Sequence, residues 1–278
     1  MSAIQPAIRS ALQPAIRSAI LSYGAVAWSP LTLFAASEVG VWYDPSDFST
    51  MFQDSAGTTP VTAIGDPVGK ILDKSGNGKH ASQATAASRP ILRHDGTNYY
   101  LEFDGVDDSL ATAAIDFTAT DEISIFSGAR KNSDAAANVL IELSASIASN
   151  VGTFILDTKN TATQLWASGA RGDAAFTSGI FGYSTQAAPD TAVITSLHDI
   201  SGDLSTFRRN GVAATSSTDN KGTGNFGNYA LYIGRRGGTT LPFNGRIYSL
   251  TILGRTATAG EITSAESYVA GKTGVVLP

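Results

Sequence analysis

The sequence predicts an all-β fold, an antiparallel β-sandwich or jelly roll, and three observations predict it. From about Leu31 onward the chain alternates short runs of β-branched and aromatic residues with turn residues. Its composition is rich in Gly (28 residues) and hydrophobic residues (42%) but holds only 15% charged ones, which suits many short strands and tight turns. Helical periodicity is confined to the two ends of the chain.

The strands follow in order. Candidate runs are 41–43, 68–72, 99–103, 123–128, 139–143, 153–157, 164–167, 192–197, 204–208, 229–234 and 246–253. Asn210-Gly211 lies between two of them and is a hairpin signal, because both residues tolerate positive φ. Asp95-Gly96 and Asn244-Gly245 are expected to mark further turns. Strands so many and so short favour one sandwich of this size over several domains.

One helix is predicted near the C-terminus. Thr258 and Glu261 form a capping box, Ile262, Ala265 and Val269 form the apolar stripe, and Gly271 and Gly274 supply the stop. The N-terminal segment reads differently. Its eight-residue repeat, QPAIRSAL then QPAIRSAI, spans 5–20 and places Ile4, Ile8, Leu12, Ile16 and Ile20 four apart, close to the helical period. Pro14 breaks any single helix, so two short pieces opened by Pro6 and Pro14 are expected. Helices so short are marginal alone and need a surface to lie on. Residues 1–30 therefore read as a docking arm and 31–278 as the sandwich. The rival reading is a secretory signal, with Arg9 and Arg17 ahead of an Ala25-Val26-Ala27 cleavage-like site; Ser22, Tyr23 and Gly24 interrupt its apolar stretch.

Composition also excludes. The chain has no cysteine, hence no disulfide or thiolate chemistry. A net charge of −5 gives no electrostatic grip on nucleic acid or anionic lipid, and no apolar run is long enough to span a bilayer. The histidines at 80, 94 and 198 lie far apart and read as surface or turn residues, and Gly222–Gly227 matches a dinucleotide fingerprint in letters but lacks a strand–helix unit around it.

Two patches could bind. Trp166, entering a polar stretch with Ser168, Gly169, Arg171 and Asp173, is the candidate carbohydrate platform, with Tyr183 beside it and Tyr229 a lesser candidate; the alternative is that Trp166 fills the core. Asp104, Asp107 and Asp108 are the densest acidic cluster and the candidate calcium ligands, with Asp44 and Asp47 second; acidic turns also occur without metal.

Four segments in order, DKSGNGKHA (73–81), LEFDGVDDSL (101–110), FRRNG (207–211) and NGRIYSLTILGRTATAGEI (244–262), resemble the laminin-G-like branch of the concanavalin A-like lectin/glucanase superfamily. The stretch 41–62 is similar to a segment of phage and prophage structural proteins that carry this domain. The resemblance implies a concanavalin A-like jelly roll in a virion protein made in the bacterial cytoplasm. It would be an appendage of tail, baseplate, collar or capsid, with other virion proteins and a homo-oligomer (a trimer is expected) as partners and a host-surface glycan as ligand. No cofactor is required; calcium is a candidate. Glucanases of the superfamily put acids at alternate positions of one strand, as Glu102 and Asp104 stand here. Gly105 is expected to end that strand and turn Asp107 and Asp108 off its face, so the expectation is a protein without catalytic residues. The alternatives are a glycan depolymerase and a ligand-free decorative domain.

Overall fold

A computed structural model describes residues 28–159, 161–163 and 165–278, and among them the chain forms two antiparallel sheets packed face to face. The first, eight-stranded, runs β16 (Val212–Ala213), β15 (Leu204–Arg209), β14 (Asp190–Asp199), β9 (Glu122–Lys131), β19 (Asn244–Leu253), β6 (Tyr99–Asp104), β5 (Ile91–His94), with β1 (Gly40–Tyr43) also paired to β19. The second, nine-stranded, runs β13 (Phe181–Ser184), β12 (Trp166–Arg171), β11 (Thr153–Thr158), β10 (Asn138–Leu143), β18 (Leu231–Ile233), β7 (Leu110–Thr112), β4 (Ala81–Ser82), β3 (Lys70–Ile71), β2 (Met51–Phe52). A two-stranded ribbon of β8 (Ile115–Asp116) and β17 (Asn228–Tyr229) completes the strands. This is the expected β-sandwich jelly roll, with its one C-terminal helix.

Alternation along the strands builds the core. In β9, Ile123, Ile125 and Ala129 point between the sheets to meet Phe154, Leu156 and Trp166 of the second sheet. The opposite positions of β9, Phe126 and Gly128, face α1 (Ala259–Thr273), which covers part of the first sheet's outer face through Ala265 and Val269. Gly128 is what lets the helix sit so close: a Cβ there would stand 2.6 Å from Thr273 Cγ2. The helix starts as expected, with both halves of the Thr258–Glu261 capping box formed, and ends at Gly274 in the left-handed region (φ 73°). Gly271 is inside it. The outer face of the second sheet is covered over β10–β13 by loops, whose Ile147 and Leu241 pack with Val139, Ile155, Ile180 and Phe181.

Asn210 (φ 53°) and Gly211 (φ 79°) form the expected tight hairpin, since Arg209 pairs with Val212. Asn244-Gly245 is not a turn: both residues open β19, with Gly245 paired to Lys131. Strand β12 also departs from expectation. It runs on to Arg171 and is buried throughout, because Ala167, Ser168, Gly169 and Ala170 are small enough to be covered on both faces; a strand buried on both sides has no polar alternation to read.

Trp28, partly buried, meets Tyr268 of α1 edge to face, so the packed body begins ahead of Leu31. The expected docking stripe (Ile4, Ile8, Leu12, Ile16 and Ile20) lies outside the described residues. No helix among the described residues is long and apolar enough to cross a membrane.

Candidate functional site

Loops cover the outer face of β10–β13 and α1 covers the centre of the first sheet, while the outer face of β5 and β6 and the adjoining end of β9 and start of β19 line a cleft. There Leu101 and Phe103 of β6 point to the core, while Glu102 and Asp104 point out. The segment 84–89 rises beside them and makes the other wall. Arg89 fixes that wall by donating to the carbonyls of Gln83 (3.1 Å), Ala84 (2.9 Å) and Gln53 (3.0 Å). Between wall and sheet lies an open cleft of about 430 Å³, lined by the polar Arg89, Arg93, Glu102, Asp104, Asp108, Asn132 and Asn244 and by the apolar Ala86, Ala87, Ile91 and Phe103.

The polar groups are held but not used up. Arg93 Nε donates to Glu102 Oε2 at 2.8 Å. Asn132 Nδ2 donates to Asn244 Oδ1 at 3.1 Å, tying the end of β9 to the start of β19. Among the described residues, Glu102 Oε1, both Arg93 Nη groups and Asn244 Nδ2 make no hydrogen bond within the chain.

The acidic end of the cleft was only partly foreseen. As expected, Gly105 turns (φ 79°) and ends β6 at Asp104. Asp108, however, comes back: its Oδ2 accepts the Asp104 N–H at 3.0 Å, and the residue lines the cleft with Glu102 and Asp104. Asp104 Oδ1 caps the turn by accepting from Val106 and Asp107 (2.8 and 3.3 Å), and Asp107 accepts from Ser88 Oγ (2.7 Å). One oxygen from each of Asp104, Asp107 and Asp108 lies within 4.8 Å of the others. Burial first, then the negative charges of Asp104, Asp107 and Glu102, push the Asp108 carboxyl up to about 7. A hard cation taking these three oxygens would relieve that repulsion, so the donor set suits calcium. Asp44 of the second acidic pair is instead tied to Lys272 (2.9 Å) and the Tyr268 hydroxyl (2.9 Å), and Asp47 to Lys74 (2.6 Å).

The residues expected as a sugar platform do not form one. Trp166 is fully buried between the sheets, its indole N–H donating to Asp190 Oδ2 at 2.8 Å, with Lys131 Nζ 5.3 Å from the ring centroid. Arg171 is buried and donates to the Ile147 and Ala148 carbonyls (3.0 and 3.1 Å). Asp173 is exposed but clamps Thr223, accepting from its N–H and hydroxyl (2.6 and 2.9 Å). Tyr183 packs on the apolar cluster outside the second sheet. Tyr229, the lesser candidate, packs against the main core. The alternative reading of Trp166 is the one the structure shows.

His198 departs from expectation as well. It is buried among Ser168, Ser196 and Ser205, with hydroxyls 2.9, 2.9 and 3.0 Å from its ring nitrogens, and burial pushes its pKa down to about 3. Among the described residues no carboxylate bonds to it, and it is 1% exposed, so this serine–histidine group is a satisfied part of the core. Residues 222–227 form a loop, as read.

No protein-family model matches the chain, and no curated protein matches it in sequence. Solved structures are similar. The binding domain of botulinum neurotoxin serotype G superposes with a TM-score of 0.54 at 17% identity, over 71% of this chain and 48% of that one. The binding domain of botulinum neurotoxin DC, solved in complex with SialylT, gives 0.52 at 10% identity, over 72% and 48%. Trypanosoma rangeli sialidase gives 0.51 at 10% identity, over 86% and 33%. The fold is lectin-like. At these identities the likeness concerns fold alone, and the chain spans about half the length of the neurotoxin domains and a third of the sialidase.

Proposed function

We propose that the protein is a non-enzymatic glycan-binding component of a bacteriophage particle, whose cleft beside β6 takes a host-surface oligosaccharide and whose N-terminal arm docks on other virion proteins. The observation that carries the binding half is the lining of that cleft. Free donors and acceptors from Arg93, Glu102 and Asn244 share the cleft with the apolar side chains of Ala86, Ala87 and Ile91. Hydroxyl-rich sugars with C–H patches want both kinds of contact, and about 430 Å³ suits a short oligosaccharide. The lectin-like fold supports the same reading, as do neighbours solved with a sialylated ligand or acting on sialosides by name.

The virion half rests on the repeat-bearing arm and on the resemblance of 41–62 to phage structural proteins. A symmetric oligomer, a trimer by preference, would bring several weak clefts to one surface. Calcium at Asp104, Asp107 and Asp108 would be an accessory ligand that stiffens the cleft's acidic end.

A second reading, a hydrolase, is favoured by one observation: Asp108, with a carboxyl near 7, shares the cleft with Glu102 and Asp104. One experiment separates the two. The full chain is incubated with purified bacterial surface polysaccharide, and both retention and new reducing ends are followed. Binding without reducing ends, weakened tenfold or more in Asn132→Ala/Asn244→Ala, is expected. Reducing ends that disappear in Glu102→Gln or Asp108→Asn would replace the proposal with the hydrolase.

A further inference from the structure

Beside the cleft, the antiparallel register of β9 and β19 sets Arg130 opposite Arg246. Their strand neighbours Ala129 and Ile247 point into the core, so both arginines stand on the outer face. The row continues to Glu102 on one side and Thr191 on the other. Like charges directly opposite on neighbouring strands are destabilising, so folding alone does not favour this pair.

The acids nearby are shared, and none of them reaches Arg130. Glu102 holds Arg93 at 2.8 Å, and Asp95 stands 3.8 Å from Arg246 while also accepting from the Tyr248 hydroxyl. Among the described residues Arg130 has neutral partners only, both at long range: Nε to Asn132 Oδ1 at 3.3 Å and Nη1 to Thr191 Oγ1 at 3.5 Å. Arg246 is already positioned, its guanidinium carbon 4.4 Å from the Tyr100 ring centroid, and its buried Nε has no hydrogen-bond partner. Asn132 is bonded to both Arg130 and Asn244, which joins the pair directly to the cleft.

We propose that Arg130 and Arg246 receive the carboxylate or sulfate group of an acidic sugar while an adjoining sugar occupies the cleft, so that the ligand is an anionic glycan. The inference rests on the glycan reading of the cleft. Guanidinium groups present forked donors that match an oxyanion, and a ligand anion supplies Arg130 with the counter-charge that no acid of the chain gives it among the described residues. The acidic cluster does not oppose this. Asp104 pairs with Asn244 in the next row and lies two strands from β9, about 10 Å away at ordinary strand spacing, where salt screens it.

The test is an array of matched oligosaccharides (unmodified, hexuronate-containing, sialylated and sulfated) probed with the full chain, with inorganic sulfate as competitor. Acidic members are expected to be retained preferentially. Arg130→Ala should weaken them about tenfold or more without lowering the melting temperature, and Arg130→Lys should recover part of the loss. The sulfated and carboxylated members distinguish the two substituents. Equal retention of neutral members, indifferent to Arg130→Ala, would overturn the anionic preference and leave the cleft reading standing. Competition by inorganic sulfate as strong as by sulfated sugar would reduce the pair to a plain anion site and overturn it too. Retention of no glycan would overturn the cleft reading itself.

Discussion

Trp166 and Asp190 meet between the two sheets: the indole N–H of one donates to the carboxylate of the other at 2.8 Å, and Arg209 Nε closes on the same oxygen at 3.0 Å. The contact fastens β12 of one sheet to β14 of the other. Trp166→Ala should therefore destabilise the fold by about 3–5 kcal/mol, measured by urea unfolding. Glycan retention per folded molecule should not change. Loss of binding in a folded Trp166→Ala variant would move the site back to β12.

The same contact marks where the sequence stops being legible. The sandwich, the Asn210-Gly211 hairpin and the capped helix are local patterns of period two, turn chemistry and capping, and they stand as read. Whether a tryptophan ahead of Ser168 and Gly169 faces solvent or core depends on which strands lie above it, which no local pattern states. Likewise Glu102 and Asp104 were legible as alternate residues of a strand, and the return of Asp108 was not, because it follows from a turn closing on the Asp104 N–H. Arg130 and Arg246 are 116 positions apart in sequence and became neighbours only through the register of β9 with β19.

His198 should make the protein acid-labile. Its folded pKa, about 3, lies below the ordinary value of 6.5, so the unfolded chain binds the extra proton first. Its stabilising contribution is complete above about 6.5 and is lost as pH falls towards 3. The melting temperature should drop steeply across that window. His198→Gln, a neutral side chain with a donor and an acceptor, should be less stable at pH 7 but show a shallower drop. An unchanged slope in the variant would assign the lability elsewhere.

Asp108 behaves oppositely. Its folded carboxyl, near 7, is raised, so stability from this group is present below the usual carboxylate range and is lost as pH rises through 7. Calcium should compensate above that pH. At pH 8, millimolar calcium should raise the melting temperature of the wild type, and Asp108→Asn should abolish the gain. No shift with calcium would leave Asp104, Asp107 and Asp108 as a self-capped turn.

Removing 1–27 spares Trp28, whose ring packs on Tyr268, and should leave a folded sandwich with wild-type glycan binding. The truncated protein should fail to join particles, as followed by immunoblotting of purified virions. Normal incorporation would remove the docking role from the arm.

The most direct measurement is a crystal structure of the full chain with a retained oligosaccharide. The account predicts intact sugar density in the cleft between 84–89 and β6, touching Arg93, Asn132 and Asn244. Sugar bound elsewhere, or cleaved in the cleft, would contradict it.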